Sequence, residues 1–489
     1  MLTVNEIQSF IEQDKTSNKK KKAKEGLRYY EGEHKIMDSK LYYFDADGNL
    51  KEDTIRSNVK ISHPFFTELV DQEVQYMLSG EENIIKSDNP TLQEQLDLYF
   101  DNAFWSETYE LLSGCVSKGF DYMYAYQRAD NRLGFQCADS MGVVEVRDKD
   151  TDDGCSYIIY WYIDRIEKGT KLIKRIQIWD DKQTWFYNQI DEGMPVIDNE
   201  IKFNPRPHIV SVNSKGEKFG SNLGFIPFFR LDNGSKQFSG LKPIKNLIDD
   251  YDLMACSLSN NLQDFTDAIY VVSGFQGHDM DELITNVKEK KHIGVDVGGS
   301  LDIKTVNIPY EARKVKLELD EKNIYRFGMG FNSAQLGDGN ITNIVIKSRY
   351  ALLDLKCNKL EIRLKEFLRK ILKVVLNEIN KTNKTDYQMK DVYFEFNREV
   401  MTNALDNAQI EKTQAETQQL QLNNIMNVAT KLDDGTIIQS ICGILDIDYE
   451  KIKGKIPENP QQSVQNVQST LNNLVPESEG GEADEQKTN

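Results

Sequence analysis

The chain has 489 residues, with 78 acidic against 60 basic side chains and a formal net charge of −18. Such a length exceeds one hydrophobic core and predicts roughly two to four modules. The acidic balance excludes a chain that grips DNA nonspecifically, because phosphate neutralisation supplies most of that affinity; a chain that surrounds DNA without holding it is not excluded. No apolar h-region opens the sequence and no run of about eighteen uncharged apolar residues occurs, so secretion and membrane spanning are not expected. Six cysteines (Cys115, Cys137, Cys155, Cys256, Cys357, Cys442) form no CxxC pair and read as buried free thiols in a reducing cytoplasm.

In chain order, Thr3-Val4-Asn5-Glu6 fits a capping box that starts a helix through Phe10 and Ile11. The basic run Lys19–Lys24 (KKKKAK) then reads as a solvated helix face, with a nucleic-acid contact as the alternative. Ser62 can cap a helix whose stripe is Phe66, Leu69, Val70, Val74, Met77 and Leu78, ended by Gly80. A second helix is predicted over about 90–118. From Gly119 to about Ile190 the pattern is β, in short aromatic and β-branched runs with Asp/Asn/Gly turns, including a hairpin turning at Asp180–Lys182. Three of the four tryptophans lie here, a density that means packing. The polar stretch 191–225 reads as a loop or insertion.

The strongest periodicity lies in 226–274. Ile244, Leu247, Ile248, Tyr251, Met254, Leu258, Leu262, Phe265 and Ile269 recur at steps of three and four, one stripe of a long helix capped by Ser239, with Pro243 in its first turn and Gly274 past its end. Some thirty residues make a rod of roughly 45 Å. Its other face carries Lys245, Asp249, Asp250, Asp252 and Asp264, so it is wet or meets a polar surface. A small α/β insert follows at 270–308, with a helix at DELITNVKEKK and strands HIGVDV and SLDIKTVNI. The run Gly294–Ser300 between them lacks the Gly-Lys-Ser/Thr of a phosphate loop and predicts a tight turn. A returning helix spans 309–335. After a Gly/Asn-rich break, a long helix over about 344–380 carries Leu353, Cys357, Leu360, Leu364, Phe367, Leu368, Ile371, Val375 and Ile379 in register. Its other face holds Lys347, Arg349, Lys356, Lys359, Arg363, Lys365 and Arg369. Residues 391–400 form a strand that must pair with something distant, expected in the upstream β region. A Gln-rich helix (403–431), short helices at Thr436–Leu445 and Asp448–Lys453, and a disordered tail complete the chain.

No pattern of catalysis emerges. Five histidines (His34, His63, His208, His278, His292) lack metal-ligand spacing, and no GxSxG, Walker loop or GxGxxG after a strand occurs. Asp249, Asp250 and Asp252 diverge around their helix by about 100° per residue, so they read as a wetted acidic face. The chain is expected to be non-enzymatic, with no catalytic residues, no cofactor and no metal.

Several segments resemble phage portal (head–tail connector) proteins of the group typical of siphophages of Gram-positive bacteria. They are YYEGEHKI (29–36), the NVKI…LVDQEVQYMLSG stretch (58–80) and IPFFRLDNG…GLKPIKNLIDDYDLMACSLSNNLQDFTDAIYVVSG (226–274), where Asp232-Asn233-Gly234 stands in place of the family's aromatic-Asn-Asn turn. The resemblance implies an α+β portal-like fold. It comprises a wing (1–235 with its β region 119–190, plus a strand at 385–400), a two-helix stem (236–269 and 309–335) and a small α/β clip (270–308). A tunnel loop (336–343), a long tunnel helix (344–384), a helical crown (401–455) and a disordered tail (456–489) follow. It further implies a dodecameric homo-oligomeric ring at one capsid vertex of the virion, assembled in the host cytoplasm. Double-stranded DNA would transit its channel. Terminase large subunit, a head-completion or adaptor protein, and major capsid and scaffolding proteins would be its partners, with no membrane. The channel segment would be Gly337, Asp338, Gly339, Asn340, Thr342 and Asn343, followed by Lys347 and Arg349. The glycines permit backbone movement, and the short uncharged side chains can touch phosphates while DNA slides. The basic face behind them could contact phosphate or pair with acidic groups of a neighbouring subunit. A capsid scaffold or adaptor with long interaction helices is the alternative; a DNA-processing enzyme of the packaging machinery lacks any nucleotide loop or carboxylate site.

Overall fold

The computed structural model describes residues 2–54, 56–80, 84–147, 154–167, 171–212, 218–264, 269–275, 279–286, 293–304, 309–332, 343–398, 404–445, 447 and 449. The chain divides into a larger unit (1–339 with 346–400) and a smaller one (340–345 with 401–489).

The larger unit begins with α1 (Val4–Thr16), opened by the expected Thr3/Glu6 capping box, and α2 (Asn18–Tyr30), capped by Ser17. Lys20 departs from the solvated-face expectation. It is buried, donates to the carbonyl oxygens of Ser140 and Val143 (2.7 Å to the latter) and pairs with Asp14 at 3.0 Å. These acceptors and Asp14 partly offset the burial that still holds the Lys20 ammonium below the usual lysine range, whereas Lys21, Lys22 and Lys24 are exposed. A small hairpin, β1 (Tyr42–Phe44) and β2 (Leu50–Glu52), precedes α3 (Phe65–Met77). Pro64 and not Ser62 occupies the N-cap of α3. Next come β3 (Ile85–Lys86), α4 (Pro90–Asp97) and α5 (Asn102–Lys118). The single helix expected over 90–118 is two, because Asp101 leaves helical geometry to cap α5, accepting from Phe104 N at 2.9 Å.

The β region forms two sheets. β4 (Phe120–Gln127) lies between β5 (Leu133–Ala138) and a later strand, while β6 (Val143–Val146), β7 (Tyr157–Glu167), β8 (Lys171–Trp179) and β9 (Gln183–Ile190) form an antiparallel meander. The Asp180–Lys182 turn is present, with Asp180 N donating to Gln183 O at 3.1 Å. Among its described residues, the stretch expected as a loop contains four short strands. β10 (Val196–Ile197) and β11 (Arg206–Pro207) both pair with β9, and β12 (Ile209–Val212) pairs with β13 (Lys218–Ser221). β14 (Phe228–Asp232) closes the first sheet against β4. Ile7 and Ile11 of α1 pack on the meander, and Phe120, Tyr122, Ile158 and Trp179 fill the space between the sheets.

Then follow α6 (Lys245–Asp264), β15 (Ile269–Phe275), α7 (Met280–Thr285), β16 (Val295–Lys304) and α8 (Tyr310–Gly328). α6 is shorter than expected. Leu241–Ile244 form a turn, and Ser239 accepts from Leu241 N while donating to Ser117 O instead of capping the helix. The tight turn expected within Gly294–Ser300 is instead part of one strand, β16. Gly298 sits there at φ +91°, a Cβ on Gly299 would collide with Ser273 O, and the ladder shifts register around Gly274. The rest of the DELITNVKEKK helix lies outside the described residues. α8 stops at Gly328, before the expected 335, because Met329 turns left-handed (φ +57°), and Gly328 and Gly330 lie close against the Leu69 side chain, which a Cβ at either would have to displace.

α9 (Asn343–Asn383) is the long helix, and all nine of its predicted stripe residues are buried in the main core with α3, α5, β4 and α6. The strand expected over 391–400 is only β17 (Tyr393–Phe394), and it pairs with Ile85–Lys86 rather than with the 119–190 strands. In the smaller unit, α10 (Ala404–Val428) packs with α11 (Asp434–Ile444), which Asp433 caps by accepting from Thr436 N at 3.0 Å. The Asp448–Lys453 helix and the tail from 456 lie outside the described residues. The fold is α+β.

Candidate functional site

α6 and α8 pack against each other. Lys316 of α8 reaches Asp250 at 2.6 Å and also bonds Asp320. Nearer the far end, Asn261, with its amide oxygen turned to the guanidinium of Arg313, accepts from both Nη atoms at 2.8 and 2.6 Å. Residues ascending on one helix meet residues descending on the other, so the pair is antiparallel and carries the β15–β16 hairpin at that end. No residue of 269–304 whose side chain is described is buried.

The near end of α6 is fastened through Asp252. His34, wholly buried, places Nδ1 2.6 Å from Asp252 Oδ2 and Nε2 3.2 Å from the Tyr29 carbonyl oxygen. His63 gives Oδ1 two further contacts, from its backbone N–H at 3.0 Å and from Nδ1 at 2.8 Å. Burial pushes the Asp252 carboxyl up, but these donors outweigh it and hold the group below its usual range. Beside it, the Tyr29 hydroxyl donates to Asp249, which Lys245 also bonds at 2.8 Å. The acidic face therefore meets a polar surface, and Asp252 is not wetted at all. The signal was present in the sequence: Asp252 is four residues from both Ile248 and Cys256, which are buried, so it shares their side of the helix. Sequence reading missed His34 and His63 because they come from remote segments.

The predicted channel residues are only partly placed. Gly337, Asp338, Gly339, Asn340 and Thr342 lie outside the described residues. Asn343 opens α9, Lys347 is exposed one turn later, and Arg349 follows in the same helix. Further along, Lys356 pairs with the buried Glu73 of α3 at 2.8 Å and Lys365 with Glu361 at 2.6 Å, so this part of the basic face is spent inside the subunit. Among the described residues no group of three or more His, Cys, Asp or Glu is placed to hold a metal ion, and no helix is long and apolar enough to cross a membrane.

Comparison with known proteins identifies relatives of the chain as a whole. The chain is 26% identical over 363 residues to the portal protein of Bacillus phage SPP1, covering 74% of this chain and 71% of that one. It is 25% identical over 402 residues to the portal protein of Clostridium phage phiCD119, covering 77% of this chain and 85% of that one. The family described as "Phage portal protein, SPP1 Gp6-like" matches residues 10–446, nearly the whole chain, and this protein belongs to it.

Proposed function

We propose that this chain is the ring-forming portal subunit of a phage of Gram-positive bacteria. It stands at one capsid vertex, encloses the channel through which DNA is packaged and ejected, and serves as the platform for terminase and for head-completion or tail proteins. The role is structural and not catalytic. In this reading 1–235 with 385–400 is the wing, α6 and α8 lie in the stem segments 236–269 and 309–335, the β15–β16 hairpin lies in the clip (270–308), and 401–455 is the crown. Residues 336–343 form the loop beside DNA, α9 lies in the tunnel helix (344–384), and Lys347 with Arg349 stands closest behind the loop. Major capsid and scaffolding proteins surround the wing, in a particle assembled in the host cytoplasm.

One observation carries the reading: an antiparallel helix pair, fastened at one end to the body through Asp252, bears at the other a tip in which no described side chain is buried. Such a rod suits subunits that stand side by side around an axis. The net charge of −18, repeated around a ring, leaves the lumen weakly repulsive to DNA, as a conduit requires. Electron microscopy of the protein, purified alone and co-produced with its capsid proteins, is expected to show closed rings with a central hole. Filaments or open helical assemblies in both preparations would overturn the proposal in favour of a scaffold or adaptor.

A further inference from the structure

Two surfaces of the larger unit carry charge that the subunit itself does not neutralise. The first is an open groove of about 750 Å3 between α3 and α8, floored by Phe65, Tyr251 and Phe331 and edged by Glu68, Asp71 and Glu321. The aromatic floor is ordered: Phe65 stands edge-on to Tyr251 at 4.9 Å. The three carboxylates accept from neutral donors only, namely Tyr325 and Gln72, Tyr30, and Asn332 respectively. None of the three pairs with a lysine or arginine among the described residues.

The second surface is the outer face of α8. Val315, Leu319, Lys322 and Arg326 follow at steps of four, three and four, which places them on one stripe. Val315 and Leu319 are 61% and 52% exposed. Lys322 and Arg326 are exposed too, and neither pairs with a carboxylate among the described residues. Exposed apolar side chains interleaved with unpaired cations on one stripe are the complement of an aromatic groove edged by unpaired carboxylates.

We infer that the α8 stripe of one copy docks in the α3–α8 groove of the next, and that this contact sets the direction of the ring. A ring of identical copies needs a heterologous interface, with two different surfaces on opposing sides of each copy. α8 supplies both: Glu321, on the groove, lies roughly 130° around the helix from the stripe at about 100° per residue. Lys322 and Arg326 meet Glu68, Asp71 and Glu321, while Val315 and Leu319 cover Phe65 and Phe331. The inference rests on the portal reading, because a head-to-tail joint repeated between identical copies gives a ring only where its rotation closes, which is what that reading requires.

Charge reversal with cross-complementation tests it. One variant carries Lys322→Glu and Arg326→Glu; the other carries Asp71→Lys and Glu321→Lys. Each alone is expected to lose rings by about tenfold or more, since like charges brought together at an interface cost more than one decade of affinity. An equimolar mixture of the two is expected to regain rings, because in an alternating ring every reversed stripe meets a reversed groove and every native stripe a native groove. Circular dichroism and a thermal melt of each variant verify folding, and the mixture rescues assembly only if both have folded. Rings undiminished in either variant, or a mixture that stays unassembled from two folded variants, would overturn the inference while leaving the portal reading intact. A wild-type chain that never closes into rings would instead remove the reading beneath it.

Discussion

The fastening of α6 to the body can be tested by removing its central acceptor. Asp252→Ala leaves three donors without their oxygen: His34 Nδ1 at 2.6 Å, His63 Nδ1 at 2.8 Å and His63 N at 3.0 Å. His34 is wholly buried, so no water reaches the vacated position from its side. Losing hydrogen bonds to a buried carboxylate costs about 1.5–3 kcal/mol. For a body of this size that corresponds to a fall of roughly 3–6 °C in melting temperature, at about 2 °C per kcal/mol. His34→Ala shares the same contact, so the double variant should cost about 2 kcal/mol less than the sum of the singles. The pH dependence has a definite sign. Because the folded-state carboxyl is depressed, its stabilisation is present above its ordinary value, about pH 4, and is lost as pH falls through the folded value. Wild type and Asp252→Ala should therefore differ fully at neutral pH and converge in acid. Differential scanning calorimetry of the two singles and the double across pH decides the matter. A shift under about 1 °C for Asp252→Ala, or strictly additive singles, would refute the idea that this carboxylate holds the helix pair to the body.

Glu378 behaves oppositely: burial raises its carboxyl to about 7, so its contribution is full below 4.5 and lost as pH rises through the raised value. Glu378→Gln should flatten that dependence and melt above wild type at pH 8. Leu364→Ala, at the fully buried centre of α9, should cost about 2–5 kcal/mol through the cavity it leaves, read as a lower urea midpoint. Shortening 336–343 should leave rings intact by electron microscopy yet reduce packaged or retained DNA; loss of the rings themselves would show the segment to be structural.

Where the fold was legible, a single period ran unbroken. The α9 stripe from Leu353 to Ile379 repeats at helical spacing for seven turns, and every member is buried. The Asp180–Lys182 hairpin was equally plain, because aromatic strands flank a turn whose Asp180 side chain accepts from Lys182 N and Gln183 N. Misreadings arose where partners come from far away in the chain. Lys20 reads as surface until Ser140 and Val143 supply its acceptors, and Asp252 reads as wet until His34 and His63 close over it. Tyr393–Phe394 could not announce a partner only two residues long at Ile85–Lys86. The break between α4 and α5 was visible in principle, since Asp101-Asn102 is a strong cap, but the apolar spacing on either side masks it. Site residues divide the same way. The Gly/Asn composition sets 336–343 apart from its neighbours, yet all but Asn343 lie outside the described residues, whereas the α3–α8 groove is assembled from three separate stretches and has no signature in any one of them.

The β15–β16 hairpin is laddered by main-chain pairing, and its described side chains are exposed or half-buried, Val297 completely exposed. Replacing such residues typically alters stability by no more than about 0.5 kcal/mol. Lineages can therefore rewrite the chemistry of this outpost, changing what it greets, while the machinery behind it stays as it was.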